Sequence, residues 1–86
     1  MNQITVTQKQ VESQIIKEDY MKMGDKTCVV MFTLKNGFVI VESSSCVSPE
    51  NYDADIGKEI CRERALNKIW ELEGYKLQSK LYQEKQ

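Results

Sequence analysis

Basic side chains recur in one stretch of the sequence at the spacing of an α-helix. Lys58 and Arg62 are four positions apart, and so are Arg64 and Lys68. Residues three or four positions apart lie on one face of a helix, so each pair presents two cations to a common partner. Arginine can hold a phosphate through two parallel hydrogen bonds, whereas lysine acts as a point charge. The spacing predicts a small anion site with Arg64 as its main donor and with Arg62 and Lys58 beside it.

Small residues share a line of that helix with two of the cations. Gly57, Cys61, Arg64 and Lys68 follow the spacing i, i+4, i+7, i+11. We expect the two small side chains to leave a shallow trough with a cationic floor. The alternative is an ordinary solvated face, on which these cations pair with helix carboxylates such as Glu59.

Aromatic side chains near the hairpin tip and the helix entrance are further candidates. Phe38 follows a predicted hairpin turn, and Tyr52 comes just before the helix. A ring can stack on a nucleotide base. Each of these residues also has an ordinary structural role open to it.

Catalytic chemistry has little support in the sequence. The chain contains no histidine, which excludes Ser–His and Cys–His pairs and every histidine-containing zinc site. Its three cysteines, Cys28, Cys46 and Cys61, are widely spaced and form no CxxC pair. We therefore expect three free thiols, no metal, no cofactor, no catalytic residue and no enzyme activity.

Composition limits the partners that the chain can have. It has 86 residues, with 12 Lys and Arg against 13 Asp and Glu, for a net charge of −1. This balance argues against general DNA or RNA binding and against a polybasic membrane anchor. No apolar run approaches the roughly 20 residues that span a bilayer, and Met1–Val6 lacks the features of a secretion signal. We expect a single soluble, intracellular domain over residues 1–86.

The hydrophobic pattern predicts an α+β fold. A small antiparallel sheet of two to three strands packs on one long helix, with short helices at both ends of the chain. Thr7 and Gln10 form a capping box, which predicts a first helix over Gln8–Lys17. A weak strand signal over 19–23 follows and ends at a turn formed by Gly24-Asp25.

A hairpin is the clearest element of the sheet. Its strands are Thr27–Leu34 and Phe38–Val41, and Asn36-Gly37 predicts a type I′ turn. This turn would place Leu34 opposite Val39 and Phe32 opposite Val41. The predicted core face consists of Cys28, Val30, Phe32, Leu34, Val39 and Val41. The other face consists of Val29, Met31, Thr33, Phe38, Ile40 and Glu42, and it is apolar enough to predict contact with a second subunit.

The main helix is expected over Ala54–Leu72. Ser48 caps a preceding helical turn, and Asp53 caps the main helix. Gly74 predicts the end of this helix, with a last short helix over Tyr75–Glu84. Apolar residues surround most of the main helix, which favours a homo-oligomer.

Several segments resemble a family of small tailed-phage proteins that includes the first described Thoeris anti-defence protein. They are Leu34-Lys35-Asn36-Gly37-Phe38, Cys46-Val47-Ser48-Pro49-Glu50-Asn51-Tyr52-Asp53, Ile56-Gly57 and Ile69-Trp70-Glu71-Leu72-Glu73-Gly74-Tyr75. The resemblance runs over about residues 34–77. A weaker likeness covers Ile4 to Ile16.

The resemblance implies a protein that binds and sequesters a cyclic ADP-ribose signal made by a TIR-domain enzyme, without cleaving it. It also implies action in the host bacterial cytoplasm and assembly into dimers or a hexamer, and some relatives hold cyclic oligonucleotides. The candidate residues for binding this ligand are assigned by chemistry and position: Arg64, Arg62, Lys58, Asn51, Phe38 and Tyr52. Asn51 can bind ribose hydroxyls or base edges. The alternative is a phage accessory protein that acts by protein–protein interaction and has no nucleotide ligand.

Overall fold

A computed structural model describes residues 5–85 as a three-stranded antiparallel sheet covered on one face by a long helix. The elements in chain order are α1 (Gln8–Ser13), β1 (Ile15–Met23), β2 (Thr27–Leu34), β3 (Val39–Ser45), a 3₁₀ turn (Pro49–Asn51) and α2 (Ala54–Glu84). The strand order is β1-β2-β3. The predicted α+β class is confirmed. Ile4, where the weaker resemblance begins, lies outside the described residues.

Helix α1 begins where the capping box predicts and ends earlier than expected. The Thr7 hydroxyl accepts from the Gln10 amide, and the Gln10 side chain accepts from the Thr7 amide. The prediction that this helix continues to Lys17 is wrong, because β1 begins at Ile15. Pairing of this β-branched segment with β2 decides its conformation, since strand contacts override a weak helical preference.

The turn between β2 and β3 differs by one residue from the predicted type I′ turn. The Leu34 amide donates to the Phe38 carbonyl at 2.9 Å, and the Gly37 amide donates to the Leu34 carbonyl at 2.9 Å. Gly37 has a φ of +90°, but Asn36 does not have a positive φ. The loop therefore contains three residues, the type in which a type I turn is followed by a left-handed glycine.

That extra loop residue shifts the register and exchanges the faces of β3. Phe32 pairs with Ile40, and Met31 pairs with Val41. Ile40 is consequently buried, whereas Val39 and Val41 are 45% and 54% exposed. The predicted pairings and the predicted placement of these three residues are wrong, because a one-residue slip turns every side chain of a strand to the other face.

The core lies between the inner face of the sheet and α2. Its β2 members are Cys28, Val30, Phe32 and Leu34; the others are Val11, Ile40, Cys61, Ala65 and Ile69. The α2 members repeat every four residues, so they form one continuous stripe that faces the sheet.

Small side chains let α2 approach β2 closely. A Cβ atom built on Gly57 would lie 2.7 Å from the Cys28 Sγ. The Cys61 Sγ lies 3.8 Å from the same sulfur. Burial, followed by the hydrogen bond with Cys28, raises the pKa of the Cys61 thiol to about 11. Cys28, Cys46 and Cys61 are free thiols in the structure.

Helix α2 is longer than the sequence suggests. Asp53 caps it as predicted, accepting from the Asp55 and Ile56 amides at 2.9 and 3.2 Å. The predicted end at Gly74 and the separate final helix are wrong, because α2 continues through Gly74 to Glu84. A glycine stop needs a left-handed conformation, and Gly74 does not have a positive φ. The helix thus extends past the sheet, in a molecule that measures 57 × 20 × 18 Å.

No element of residues 5–85 covers the outer face of the sheet. This face is largely apolar, as expected, although with different members, and it also has the Lys17–Asp19 ion pair on β1. Met21 and Met31 are 58% and 38% exposed there and accompany Val39 and Val41. Cross-strand pairing places Met21 beside Val29 on this face. The predicted members Phe38, Ile40 and Glu42 do not belong to it, because the register has shifted.

Two glycines of α2 give a matched test of the helix–sheet contact. We expect Gly57→Ala to destabilise the protein by about 1–3 kcal/mol, because the new methyl group overlaps the buried Cys28 sulfur. Gly74→Ala has nothing within 4 Å of its new Cβ and should stabilise the protein by about 0.5–1 kcal/mol through helix propensity. Urea unfolding measures both free energies. Equal effects of the two substitutions would contradict the close contact.

Candidate functional site

A row of charged and aromatic side chains lies where β1 meets α2. Glu18, Tyr20 and Lys22 alternate along β1 and pair with the buried residues of β2, so they share the inner face of the sheet. Lys58 and Arg62 lie one turn apart on α2. We call these five residues together with Tyr52 the β1-side row.

Cations lie over both aromatic rings of this row. The Lys22 Nζ is 4.6 Å from the centroid of the Tyr52 ring, and the Lys58 Nζ is 4.4 Å from the centroid of the Tyr20 ring. Such contacts hold an ammonium in place by the ring quadrupole. They leave its N–H groups able to donate to a ligand.

The remaining contacts of the row join β1 to the rest of the chain. The Tyr20 and Tyr52 hydroxyls are hydrogen-bonded to each other. This hydrogen bond, followed by burial, raises the pKa of Tyr52, so the hydroxyl stays protonated at neutral pH. Arg62 forms an ion pair with Glu18. The row therefore has three cations and one carboxylate, a net charge of +2.

Four of the six predicted residues come together at this row. Lys58, Arg62 and Tyr52 belong to it, and Asn51 directly precedes Tyr52 at the end of the 3₁₀ turn. Asn51 and Tyr52 also line a depression of about 120 Å³ with Lys26. The spacing of the cations on the helix and the position of the aromatic residue before it were sufficient to predict this grouping.

Arg64 lies away from the row, on the β3 side of α2. Its Nη1 donates to the Ser43 carbonyl at 2.6 Å. The neighbouring Lys68 forms an ion pair with Glu42 of β3. The two pairs of cations predicted from the sequence therefore lie on opposite sides of the helix, one above each edge strand.

The expected trough beside Arg64 does not exist. Gly57 and Cys61 are buried against Cys28 and line the contact with the sheet. Their small size serves the close approach of helix and strand, so it leaves no room for a ligand. The prediction was wrong because Gly57 and Cys61 belong to the buried stripe of α2, whereas Arg64 and Lys68, farther along the line i, i+4, i+7, i+11, lie on its exposed side.

Phe38 lies at the opposite end of the sheet from Tyr52. It follows the β2–β3 loop beside Leu34, and Lys22 pairs with Cys28 at the other end of β2. Six residues of strand separate these positions, about 20 Å. Within one chain, Phe38 and Tyr52 do not contact the same small ligand.

Sequence reasoning missed the β1 half of the row. The segment from Glu18 to Lys22 gives a weak strand signal because its side chains are mostly polar. The signal that could have identified it is the alternation of Glu18, Tyr20 and Lys22, which places a carboxylate, a ring and a cation on one face.

Neither a metal centre nor a membrane span occurs in the described part of the chain. Among residues 5–85, no group of three or more His, Cys, Asp or Glu residues could hold a metal ion. In the same range, no helix has the length and apolar character needed to cross a membrane.

Comparison with known proteins identifies the family. Neither the curated proteins nor the solved structures include a match. One family model, described as phage protein (N4 Gp49/phage Sf6 gene 66) family, matches residues 6–81, which is most of the chain. The chain therefore belongs to the phage protein (N4 Gp49/phage Sf6 gene 66) family.

Proposed function

We propose that this phage protein binds a cyclic ADP-ribose signal and sequesters it without cleaving it, which would keep a Thoeris effector of the host inactive. Membership of the phage family and the resemblance of residues 34–77 to the family that includes the first described Thoeris anti-defence protein support the proposal. The observation that carries it is the β1-side row, where cations, aromatic rings and an amide lie on one surface.

The charge of the row complements the ligand. The pyrophosphate of a cyclic ADP-ribose has two negative charges, and the row has a net charge of +2. The ammonium groups of Lys22 and Lys58 lie over the rings of two tyrosines whose hydroxyls are hydrogen-bonded to each other. Arg62 adds a planar donor group beside them. A phosphate group can thus receive hydrogen bonds without disturbing the cation–π contacts.

The other end of the ligand would lie toward the 3₁₀ turn. Asn51 is exposed there and can donate to, or accept from, ribose hydroxyls and base edges. The Tyr52 ring packs against the hydrophobic core and has Lys22 over it, so it positions that ammonium group and leaves recognition of the base to Asn51.

Glu18 and Arg62 give opposite expected effects on ligand affinity. We expect Arg62→Ala to weaken binding of cyclic ADP-ribose about 10- to 100-fold, because a charge-assisted bidentate pair contributes roughly 1.5–3 kcal/mol. Glu18→Gln should strengthen binding about two- to fivefold, since it removes a competing carboxylate. Arg62→Lys should restore part of the affinity. Calorimetry measures each constant, and melting temperature checks the fold.

Arg64 needs its own variant in the same experiment. The sequence predicts Arg64 as the main donor of the anion site, but the structure places it on the β3 side of α2. Unchanged affinity in Arg64→Ala, with the fold intact, removes Arg64 from the site and leaves Arg62 and Lys58. Loss of affinity only in Arg64→Ala would contradict a site at the row.

Recovery of intact ligand after the complex is heated separates a sequestering protein from a phosphodiesterase.

We also propose that the protein is a homo-oligomer, a dimer or a hexamer, through the apolar outer face of the sheet. Light scattering should give a mass well above the 10.0 kDa of one chain. Val41→Lys should lower that mass, because Val41 is 54% exposed on this face, opposite Met31. Gln78→Lys adds the same charge at an exposed position of α2, away from the outer face of the sheet, and is the control that should leave the mass unchanged. A wild-type monomer at micromolar concentration would overturn the proposal.

The outer face also favours a second candidate function, in which the protein acts on another protein and binds no nucleotide. Its exposed methionines and valines are the supporting observation. If calorimetry shows no nucleotide binding while Val41→Lys abolishes the protein's effect in infected cells, this second function is the better one.

A further inference from the structure

A groove lies at the tip of the β2–β3 hairpin, at the far end of the sheet from Tyr52. Its walls are the β2–β3 loop with Phe38 and the middle of α2 with Leu72, and the end of α1 closes one side. Its volume is about 500 Å³. A second depression of about 420 Å³ adjoins it and shares Phe38 and Leu72. Small-molecule sites typically have volumes of about 300–1,000 Å³.

The floor of this groove is apolar, and the Phe38 ring on its wall is exposed. Leu34 and Ile69 are buried beneath it, with 5% and 1% of their surface exposed. Phe38 is 51% exposed and Leu72 is 44% exposed. A ring and an aliphatic side chain that both line an open groove offer apolar surface to a flat aromatic group.

Two lysines lie on the rim of the same groove. Lys35 comes from the β2–β3 loop and Lys76 from α2. Within residues 5–85, neither lysine forms an ion pair, whereas Lys68 in the adjoining depression is paired with Glu42. Among the described residues, the one carboxylate that lines the groove is Glu73, so this lining has a net charge of +1.

The loop adds a hydrogen-bond donor at the edge of the groove. The Asn36 Oδ1 accepts from the Phe38 amide at 3.0 Å, which fixes the side chain and leaves its NH₂ group as a donor. The groove thus combines a flat apolar slot, two ammonium groups and an amide donor.

We propose that this groove is a binding site for a planar aromatic anion, with a nucleoside monophosphate as the fitting class. The base lies between Phe38 and Leu72, and the phosphate lies between Lys35 and Lys76. The site is separate from the β1-side row, and it does not depend on the function proposed for that row.

Calorimetry with adenosine monophosphate tests this site. The wild-type protein binds this probe, and Phe38→Ala weakens binding about tenfold, the effect of removing a ring that stacks on a base. The double variant Lys35→Ala/Lys76→Ala weakens it about tenfold as well, and the loss shrinks at high salt. The double variant Lys9→Ala/Lys85→Ala removes two exposed lysines that do not line the groove and is the charge-matched control. It leaves the affinity unchanged.

Two further comparisons distinguish the groove from the β1-side row and from a site that holds phosphate alone. Ribose 5-phosphate has the phosphate without the ring and binds at least tenfold more weakly than adenosine monophosphate; equal binding overturns the stacking role. Loss of adenosine monophosphate binding in Arg62→Ala, with unchanged binding in Phe38→Ala, places the ligand at the row and overturns the groove. Absence of binding by the wild-type protein at millimolar probe also overturns it. Phe38 is half exposed, so its variant should retain the fold, and melting temperature confirms this.

Discussion

The structure depends on how closely α2 approaches the middle strand of the sheet. Gly57 has no side chain to separate the helix from Cys28, and the next inward residues, Cys61 and Ala65, are also small. Beyond them the larger Ile69 fills the space over the hairpin end of the sheet. Close packing of this kind tolerates little change in volume, so these residues fix both the height and the direction of the helix.

This contact explains why the cations of α2 divide into two groups. Helix α2 packs over β2 and β3, so one of its sides faces β3 and the opposite side faces β1. Lys58 and Arg62 therefore reach Tyr20 and Glu18 of β1, whereas Arg64 reaches the Ser43 carbonyl of β3. The half-exposed ion pairs add little stability themselves. Their main effect is to hold cations at set positions on the two sides of the molecule.

The sequence allowed the fold class and the helix starts to be predicted, because capping is local: the side chains of Thr7 and Asp53 bond amides within three residues. It did not allow the register of β3 to be predicted, since one extra residue in the loop at Gly37 reverses the faces of the strand. The sequence predicts that the basic residues of α2 come in pairs along the helix, but it does not predict that the two pairs face different edge strands. That separation depends on which line of α2 is buried, and Gly57 and Cys61 suit a ligand trough and a close contact equally well.

A double-mutant cycle between Cys28→Ala and Gly57→Ala tests the helix–sheet contact most directly. In the Cys28→Ala background the nearest sulfur is gone, and a Cβ at position 57 meets the Cβ at position 28 at an ordinary distance of 3.5 Å. We predict that Gly57→Ala destabilises the wild-type protein but costs little in that background, a coupling of at least about 1 kcal/mol in the free energy of unfolding. Additive effects within about 0.5 kcal/mol would show that the two residues do not set the height of the helix.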